Sequence, residues 1–131
     1  MSGRVYLDAS AAVKLVVTEP ESAPLERFLA GQVTRVSNRV LAVELIRAVR
    51  RHSPASLDQA RSLLEVMEFV ELAEEVADVA SGLEPVGLRS LDAIHLASAL
   101  ALAEELDAFV TYDARQADAA RALGLSVESP A

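Results

Sequence analysis

Four acidic residues stand where their carboxylates could act together on one substrate. They are Asp8, Glu44, Asp92 and Asp113. Asp8 and Asp113 each follow a short apolar run typical of a β-strand. Asp92 lies in the first turn of a helix predicted to begin at Ser90, and Glu44 interrupts an apolar helix. The chain has no cysteine and only two histidines, so these acids offer oxygen ligands, which suit Mg²⁺ or Mn²⁺ better than zinc. Such a site supports phosphoryl transfer, because a divalent ion neutralises the phosphate and generates hydroxide from bound water.

The same acids also have purely structural explanations. Aspartate caps helix N-termini and interacts favourably with the positive end of the helix dipole, which could account for Asp8, Asp92 and Asp113 separately. Glu44 could form an ion pair with Arg47, three residues further along its helix. His95 shares an apolar helical stripe with Asp92, and this favours a packing role over metal ligation. The pattern alone leaves the catalytic and the structural explanations open.

The elements that would position these acids alternate between strand and helix. The sequence predicts strands at residues 4–7, 34–37, 67–72, 108–111 and 126–128. It predicts helices at residues 11–17 with Ser10 as N-cap, 22–29, 38–51, 56–65 capped by Ser56, 74–80, the longest from Ser90, and 115–123. This alternation predicts a three-layer α/β/α fold with a five-stranded parallel sheet. Ligands of such sheets bind outside the carboxyl ends of the strands, where Asp8 and Asp113 fall.

Composition limits the classes of protein that this chain could represent. Its 131 residues, of which 52% are hydrophobic, are expected to form one domain over residues 1–131. No apolar run approaches the length of a membrane span, and the acid at Asp8 comes too early for a signal peptide, so we expect a cytoplasmic protein. The absence of cysteine excludes disulfides and thiolate chemistry.

Charge is unevenly distributed along the chain. The formal net charge of −8 argues against a protein that binds nucleic acid by electrostatics alone. Residues 35–61 nevertheless hold six arginines and only two acids, so a phosphate-bearing partner should meet this stretch first. The alternative is a solvated helix face with ion pairs. Residues 65–78 hold six acids and no base, and we expect them to be exposed.

Four short motifs surround the acids in a fixed order. They are Leu7-Asp8-Ala9-Ser10-Ala11, Val40-Leu41-Ala42-Val43-Glu44-Leu45, Ser90-Leu91-Asp92-Ala93-Ile94-His95-Leu96-Ala97 and Val110-Thr111-Tyr112-Asp113. In order and spacing they resemble the motifs of PIN-domain nucleases, and more narrowly those of VapC-type toxins from toxin–antitoxin pairs. The resemblance covers roughly residues 4–128. It implies a Mg²⁺- or Mn²⁺-dependent endoribonuclease that forms a homodimer and is inhibited by a cognate VapB-type antitoxin.

The resemblance also implies roles for individual residues. Asp8 and Asp92 would be the principal ion ligands, while Glu44 and Asp113 would complete the metal site and hold the attacking water. Ser10 and Thr111 would support these groups by hydrogen bonding. The residues expected to contact RNA are the arginines Arg39, Arg47, Arg50 and Arg51.

Other α/β proteins with acidic sites fit the sequence less well. A response-regulator receiver domain needs a lysine after a late strand, and the only lysine is Lys14 in the first helix. A haloacid-dehalogenase-type phosphatase needs a second aspartate where this chain has Ser10. A dinucleotide-binding domain needs a glycine-rich first turn, which is missing here. A non-catalytic PIN-like interaction module remains the alternative from a different functional class.

Overall fold

The structure, a computed structural model, describes residues 2–131 and places a parallel sheet between layers of helices. The strands are β1 (Ser2–Leu7), β2 (Gln32–Asn38), β3 (Glu68–Val70), β4 (Leu106–Val110) and β5 (Val127–Glu128). They pair in the order β3-β2-β1-β4-β5, and every pairing is parallel. The predicted α/β class and the five-stranded parallel sheet are therefore confirmed.

Seven α-helices lie within the described residues. They are α1 (Ala9–Ala12), α2 (Ser22–Phe28), α3 (Val40–His52), α4 (Leu57–Val66), α5 (Glu74–Ser81), α6 (Ser90–Ala101) and α7 (Ala114–Ala122). The predicted first helix is shorter than expected, because α1 tightens into a 3₁₀ turn at Val13–Leu15. The longest helix is α3 with 13 residues, not α6 with 12. No helix in the described part of the chain combines the length and the apolar character that crossing a membrane requires.

Both faces of the sheet are covered, so its central strand is buried throughout its second half. On one face Val5 and Leu7 pack with residues of α3, including Leu41 and Leu45. On the other face Tyr6 packs with residues of α6 and α7. Consecutive side chains of a strand point to opposite faces, which explains why the apolar run of β1 is continuous. The two cores confirm the predicted three-layer arrangement.

The order in which strands are added to the sheet reverses at β1, although all strands remain parallel. The chain adds β2 and β3 on one side of β1, then crosses over to place β4 on its other side. At such a switch point the connections leave the two neighbouring strands in opposite directions, and a crevice opens at their carboxyl ends. Asp8 directly follows β1, while Thr111 and Asp113 follow β4. The topology therefore brings the first and last predicted acids to one edge.

Two of the predicted helix N-caps, Ser10 and Ser56, are wrong. The N-cap of α1 is Asp8, whose side chain accepts a hydrogen bond from the backbone N–H of Ala11, and not Ser10. Ser56 occupies the N-cap position of α4, but its hydroxyl pairs with the Ser53 hydroxyl at 2.8 Å and does not cap the helix. In both cases a nearby polar group offers the serine a different partner.

Candidate active site

Asp8 is the most buried acid of the predicted site, with an exposed fraction of 3%. Its Oδ1 accepts hydrogen bonds from the Ser10 hydroxyl at 2.6 Å and from the Ala11 N–H at 3.1 Å, and its Oδ2 accepts one from the Thr111 hydroxyl. Burial raises the pKa of the Asp8 carboxyl, and the bonds from Ser10 and Thr111 oppose that rise. The backbone N–H of Tyr112 donates to Ser10 Oγ at 2.9 Å, which fixes the serine in turn. Asp8 is thus held rigidly across the β1–β4 switch point.

Asp92 lies in the first turn of α6 but does not cap it. The N-cap position belongs to Arg89, and the Asp92 carboxylate accepts no hydrogen bond from the described residues. Burial raises the pKa of Asp92, and the neighbouring charges of Asp113 and Asp8 raise it further. The three aspartates therefore lie within electrostatic range of one another, and Asp92 is the one without a structural role in hydrogen bonding.

Asp113 caps α7 with one oxygen and leaves the other available. Its Oδ1 accepts the backbone N–H groups of Arg115 at 2.9 Å and of Gln116 at 3.2 Å. Gln116 is fully buried, and its side-chain amide donates to the Asp92 carbonyl oxygen at 3.2 Å. One residue of α7 is therefore bonded to both Asp113 and Asp92, and it fixes the start of α7 against the start of α6.

Glu44 is joined to the site through a histidine. Its Oε1 lies 2.6 Å from His95 Nε2, and the other ring nitrogen of His95 lies 2.7 Å from the Tyr6 hydroxyl. The ion pair with Arg47 that the sequence allowed is absent from the described residues, since Glu44 pairs with His95 instead. His95 also lies near Asp8 and Asp92, and in its protonated form it lowers the pKa of both carboxyls and so offsets part of the rise that burial causes.

The predicted RNA-binding arginines separate into two groups. Arg47, Arg50 and Arg51 line one cavity of about 270 Å³ on α3, and none of them forms an ion pair within residues 2–131. Arg39 lies apart, 3.3 Å from Glu71 and stacked 4.2 Å above the Phe69 ring. The structure brings three of the four arginines together and leaves one engaged elsewhere.

Comparison with known proteins places the chain in a family. A family model described as the PIN domain matches residues 5–122. The chain belongs to the PIN-domain family. Two curated relatives from Mycobacterium tuberculosis cover nearly its whole length. Ribonuclease VapC46 is 42% identical over 126 residues, with 96% of this chain and 97% of the relative covered. Ribonuclease VapC47 is 41% identical over 131 residues, with 96% of each covered.

Solved structures share the fold of this PIN domain at low sequence identity. Mycobacterium tuberculosis VapC20, described as a Sarcin-Ricin loop cleaving toxin, matches with a TM-score of 0.74 and 12% identity over 96% of this chain and 99% of that chain. VapBC-1 from nontypeable Haemophilus influenzae matches with a TM-score of 0.68 and 17% identity over 96% and 97%. These two likenesses support the fold alone.

The donor set of this PIN domain fits a hard divalent cation. All four acids offer oxygen, and a bound cation would relieve the repulsion from Asp113 and Asp8 that adds to burial in raising the pKa of Asp92. Among residues 2–131 no three acids or histidines lie close enough to enclose an ion by themselves. Mg²⁺ keeps several of its waters and is commonly held by one or two carboxylates together with substrate phosphate. An open set of aspartates suits that mode of binding better than a closed cage.

Sequence reasoning missed two residues that organise this PIN domain. Gln116 lies in the alanine-rich helix α7, and only the structure shows that its side chain is fully buried. Tyr6 has the sequence pattern of an ordinary core residue of β1. Nothing in its local sequence indicates that its hydroxyl contacts His95, which is 89 residues away. Both act through contacts between distant segments, which no local pattern encodes.

Proposed function

We propose that this PIN domain, over the whole of residues 1–131, is a Mg²⁺- or Mn²⁺-dependent endoribonuclease and the toxin of a toxin–antitoxin pair. The observation that carries the proposal is the cluster of Asp8, Asp92 and Asp113, in which the Asp92 carboxylate has no partner of its own. Close relatives named ribonucleases, 42% and 41% identical over nearly the full chain, support the same activity.

Each acid contributes differently to the proposed hydrolysis. A divalent cation bound here would neutralise charge on the scissile phosphate and lower the pKa of a bound water. Asp8 offers a carboxylate that Ser10 and Thr111 orient. Asp92 offers a carboxylate with no competing hydrogen bond, and Asp113 offers the oxygen that it does not use for capping. Glu44 would complete the set and help to hold the attacking water.

The basic surface of α3 supports binding of the RNA backbone. Arg47, Arg50 and Arg51 follow the i, i+3, i+4 spacing of one helix face, where like charges repel unless an anion lies between them. A phosphate of the substrate strand would relieve that repulsion, and guanidinium groups hydrogen-bond well to phosphate oxygens. Arg39 contributes less to this surface because Glu71 and Phe69 already hold it.

A cleavage assay tests the nuclease activity directly. Purified protein is incubated with a single-stranded RNA in Mg²⁺ or Mn²⁺, with and without excess EDTA. We expect cleavage only with the metal and products that carry 5′-phosphate and 3′-hydroxyl ends, because metal-activated water attacks the phosphorus directly. Undiminished cleavage in EDTA, or 2′,3′-cyclic phosphate ends, would contradict the proposal.

The cognate partner is proposed to be a VapB-type antitoxin that neutralises the acids. A guanidinium or ammonium group placed among Asp8, Asp92 and Asp113 would substitute for the charge of the metal and block its site. We expect the purified complex to lack nuclease activity and to bind Mn²⁺ weakly in calorimetry. A complex with full activity and full metal binding would show that inhibition works in another way.

A further inference from the structure

A hydrogen-bonded chain of three side chains runs from the buried sheet to the edge of the acid cluster. Tyr6 and His95 are buried with exposed fractions of 0% and 1%, while the Glu44 side chain is 16% exposed. The Tyr6 hydroxyl lies 2.7 Å from His95 Nδ1, and His95 Nε2 lies 2.6 Å from Glu44 Oε1. Both distances are in the short part of the hydrogen-bond range, so the two contacts are well formed.

Chemistry fixes the direction of both hydrogen bonds when the imidazole is neutral. A carboxylate only accepts, so the proton of His95 must lie on Nε2, which donates to Glu44. Nδ1 is then an acceptor and receives the O–H of Tyr6. The tyrosine hydroxyl thus pairs the ring nitrogen that does not face the glutamate and anchors the ring in this orientation.

Packing holds the ring of His95 in place from the other side. Tyr6 stacks on Phe109 with ring centroids 5.3 Å apart and meets His95 edge-on at 5.7 Å. Glu44 has fewer polar contacts, although its side chain is mostly buried. The bond from His95 is its one hydrogen bond to the described side chains. Without that bond its carboxylate would sample several rotamers.

We propose that His95, anchored by Tyr6, is the positioning residue that fixes the orientation of the Glu44 carboxylate. The inference rests on the proposed function, since it assigns a purpose to one acid of that site. Groups that hydrogen-bond to metal ligands orient them, and their loss commonly weakens metal binding by about 10- to 100-fold. His95 acts here through Glu44 and does not itself contact the substrate.

A double-mutant cycle separates this role from a merely structural one. Glu44→Gln, His95→Leu and the double variant are compared for the Mn²⁺ dissociation constant by calorimetry and for kcat/KM on an RNA oligonucleotide. We expect each single variant to weaken Mn²⁺ binding, by about 10- to 100-fold for His95→Leu. The double variant should bind Mn²⁺ no more weakly than Glu44→Gln alone, because His95 is proposed to act only through the carboxylate that Glu44→Gln removes. The proposal would be overturned if the losses of Mn²⁺ affinity and of kcat/KM in the double variant equalled the product of the losses in the two single variants.

Two further variants guard against a failure to fold. Tyr6→Phe combined with His95→Leu removes both buried polar partners together, so no hydroxyl is left unpaired in the core. It should show the same loss of Mn²⁺ affinity as His95→Leu. His95→Gln keeps an N–H donor that reaches toward Glu44 and should recover most of the affinity. No recovery with His95→Gln in a folded protein would overturn the proposal.

A matched control lies next to His95 on α6. Leu96 is fully buried but apolar, so Leu96→Val should lower the melting temperature and leave the Mn²⁺ dissociation constant unchanged. If Leu96→Val weakened Mn²⁺ binding as much as His95→Leu, the effect of His95 would be structural. Wild-type protein that binds no Mn²⁺ would contradict the proposed metal dependence, while the cycle on kcat/KM would still decide whether His95 acts through Glu44.

Discussion

Asp92 separates the catalytic explanation of the acids from the structural one. Asp8 and Asp113 both cap helices, so each has a structural reason to be present. Asp92 caps nothing and accepts no hydrogen bond from the described side chains, yet it faces two other carboxylates. A charged group kept among like charges without a hydrogen bond to its carboxylate is a candidate functional residue.

Replacement of Asp92 by asparagine should abolish activity without unfolding the protein. Asp92→Asn removes one charge of the proposed cation site, so we expect cleavage of an RNA oligonucleotide to fall by orders of magnitude. Asp118→Asn is the matched control on α7, where Asp118 is exposed and pairs with Arg121 at 3.6 Å. Asp118→Asn should leave cleavage of the oligonucleotide nearly unchanged. Loss of cleavage with Asp118→Asn but not with Asp113→Asn would show that the fourth acid is wrongly assigned.

The same substitution should change how stability depends on pH in the absence of metal. The folded protein raises the pKa of Asp92 above its ordinary value of 3.8, so the folded state holds this proton more tightly than the unfolded state. The contribution of Asp92 to stability therefore falls as pH rises from 3.8 through the folded pKa.

Asp92→Asn removes this dependence, so the variant should be more stable than the wild type at neutral pH and similar to it in acid. Urea unfolding in EDTA at a series of pH values measures the difference. A variant that is less stable than the wild type at pH 7 would show that Asp92 stabilises the fold in its charged form.

At the scale of elements, α3 carries both an acid of the site and the basic surface. Its buried residues Leu41, Leu45 and Val49 recur every four positions and fix which side faces the core. Glu44 hydrogen-bonds to His95 of α6, and the arginines of the α3 cavity follow one to two turns later. One helix thereby sets the distance between the proposed site of cleavage and the proposed contact with RNA.

Removal of the α3 arginines should weaken RNA binding more than it slows the chemical step. Arg47→Ala, Arg50→Ala and Arg51→Ala should each raise KM several-fold with little change in kcat. Each should also reduce the slope of log affinity against log salt by about 0.7, the value for one phosphate contact on a single strand. Arg39→Ala is the control, with a smaller effect expected because Glu71 and Phe69 engage that side chain. Equal changes in KM and in salt dependence for all four variants would contradict the separation of Arg39 from the arginines of the α3 cavity.

Local sequence patterns predicted the elements well and their connections less well. All five strands lie within a few residues of their predicted positions, because buried parallel strands produce short apolar runs between turn residues. The acids of residues 65–78 are exposed as expected, although Glu68 and Glu71 pair with Arg4 and Arg39. The link between Glu44 and His95 spans 51 residues and depends on how α3 packs against α6. Such contacts follow from tertiary packing and leave no periodic signal.

At the scale of the whole molecule, exposed apolar side chains favour self-association. Val43, Val79 and Leu91 are large apolar residues with exposed fractions of 62%, 46% and 46%. We predict a homodimer, in which an isologous interface would cover such residues in pairs. Light scattering at micromolar concentration should give a mass near twice 13.9 kDa. A strictly monomeric protein at that concentration would refute the prediction.

The switch point of the sheet also determines when during synthesis the acid cluster can exist. Asp8 and Thr111 hydrogen-bond to each other but are 103 residues apart in the chain. A ribosome adds roughly 5–20 residues per second, so about 5 to 20 s separate the translation of these two residues. A nascent chain that ends before β4 lacks Thr111, which orients Asp8, and Asp113. We therefore expect a chain cut short before β4 to be inactive, so that cleavage of RNA becomes possible only during translation of about the last fifth of the chain, residues 106–131.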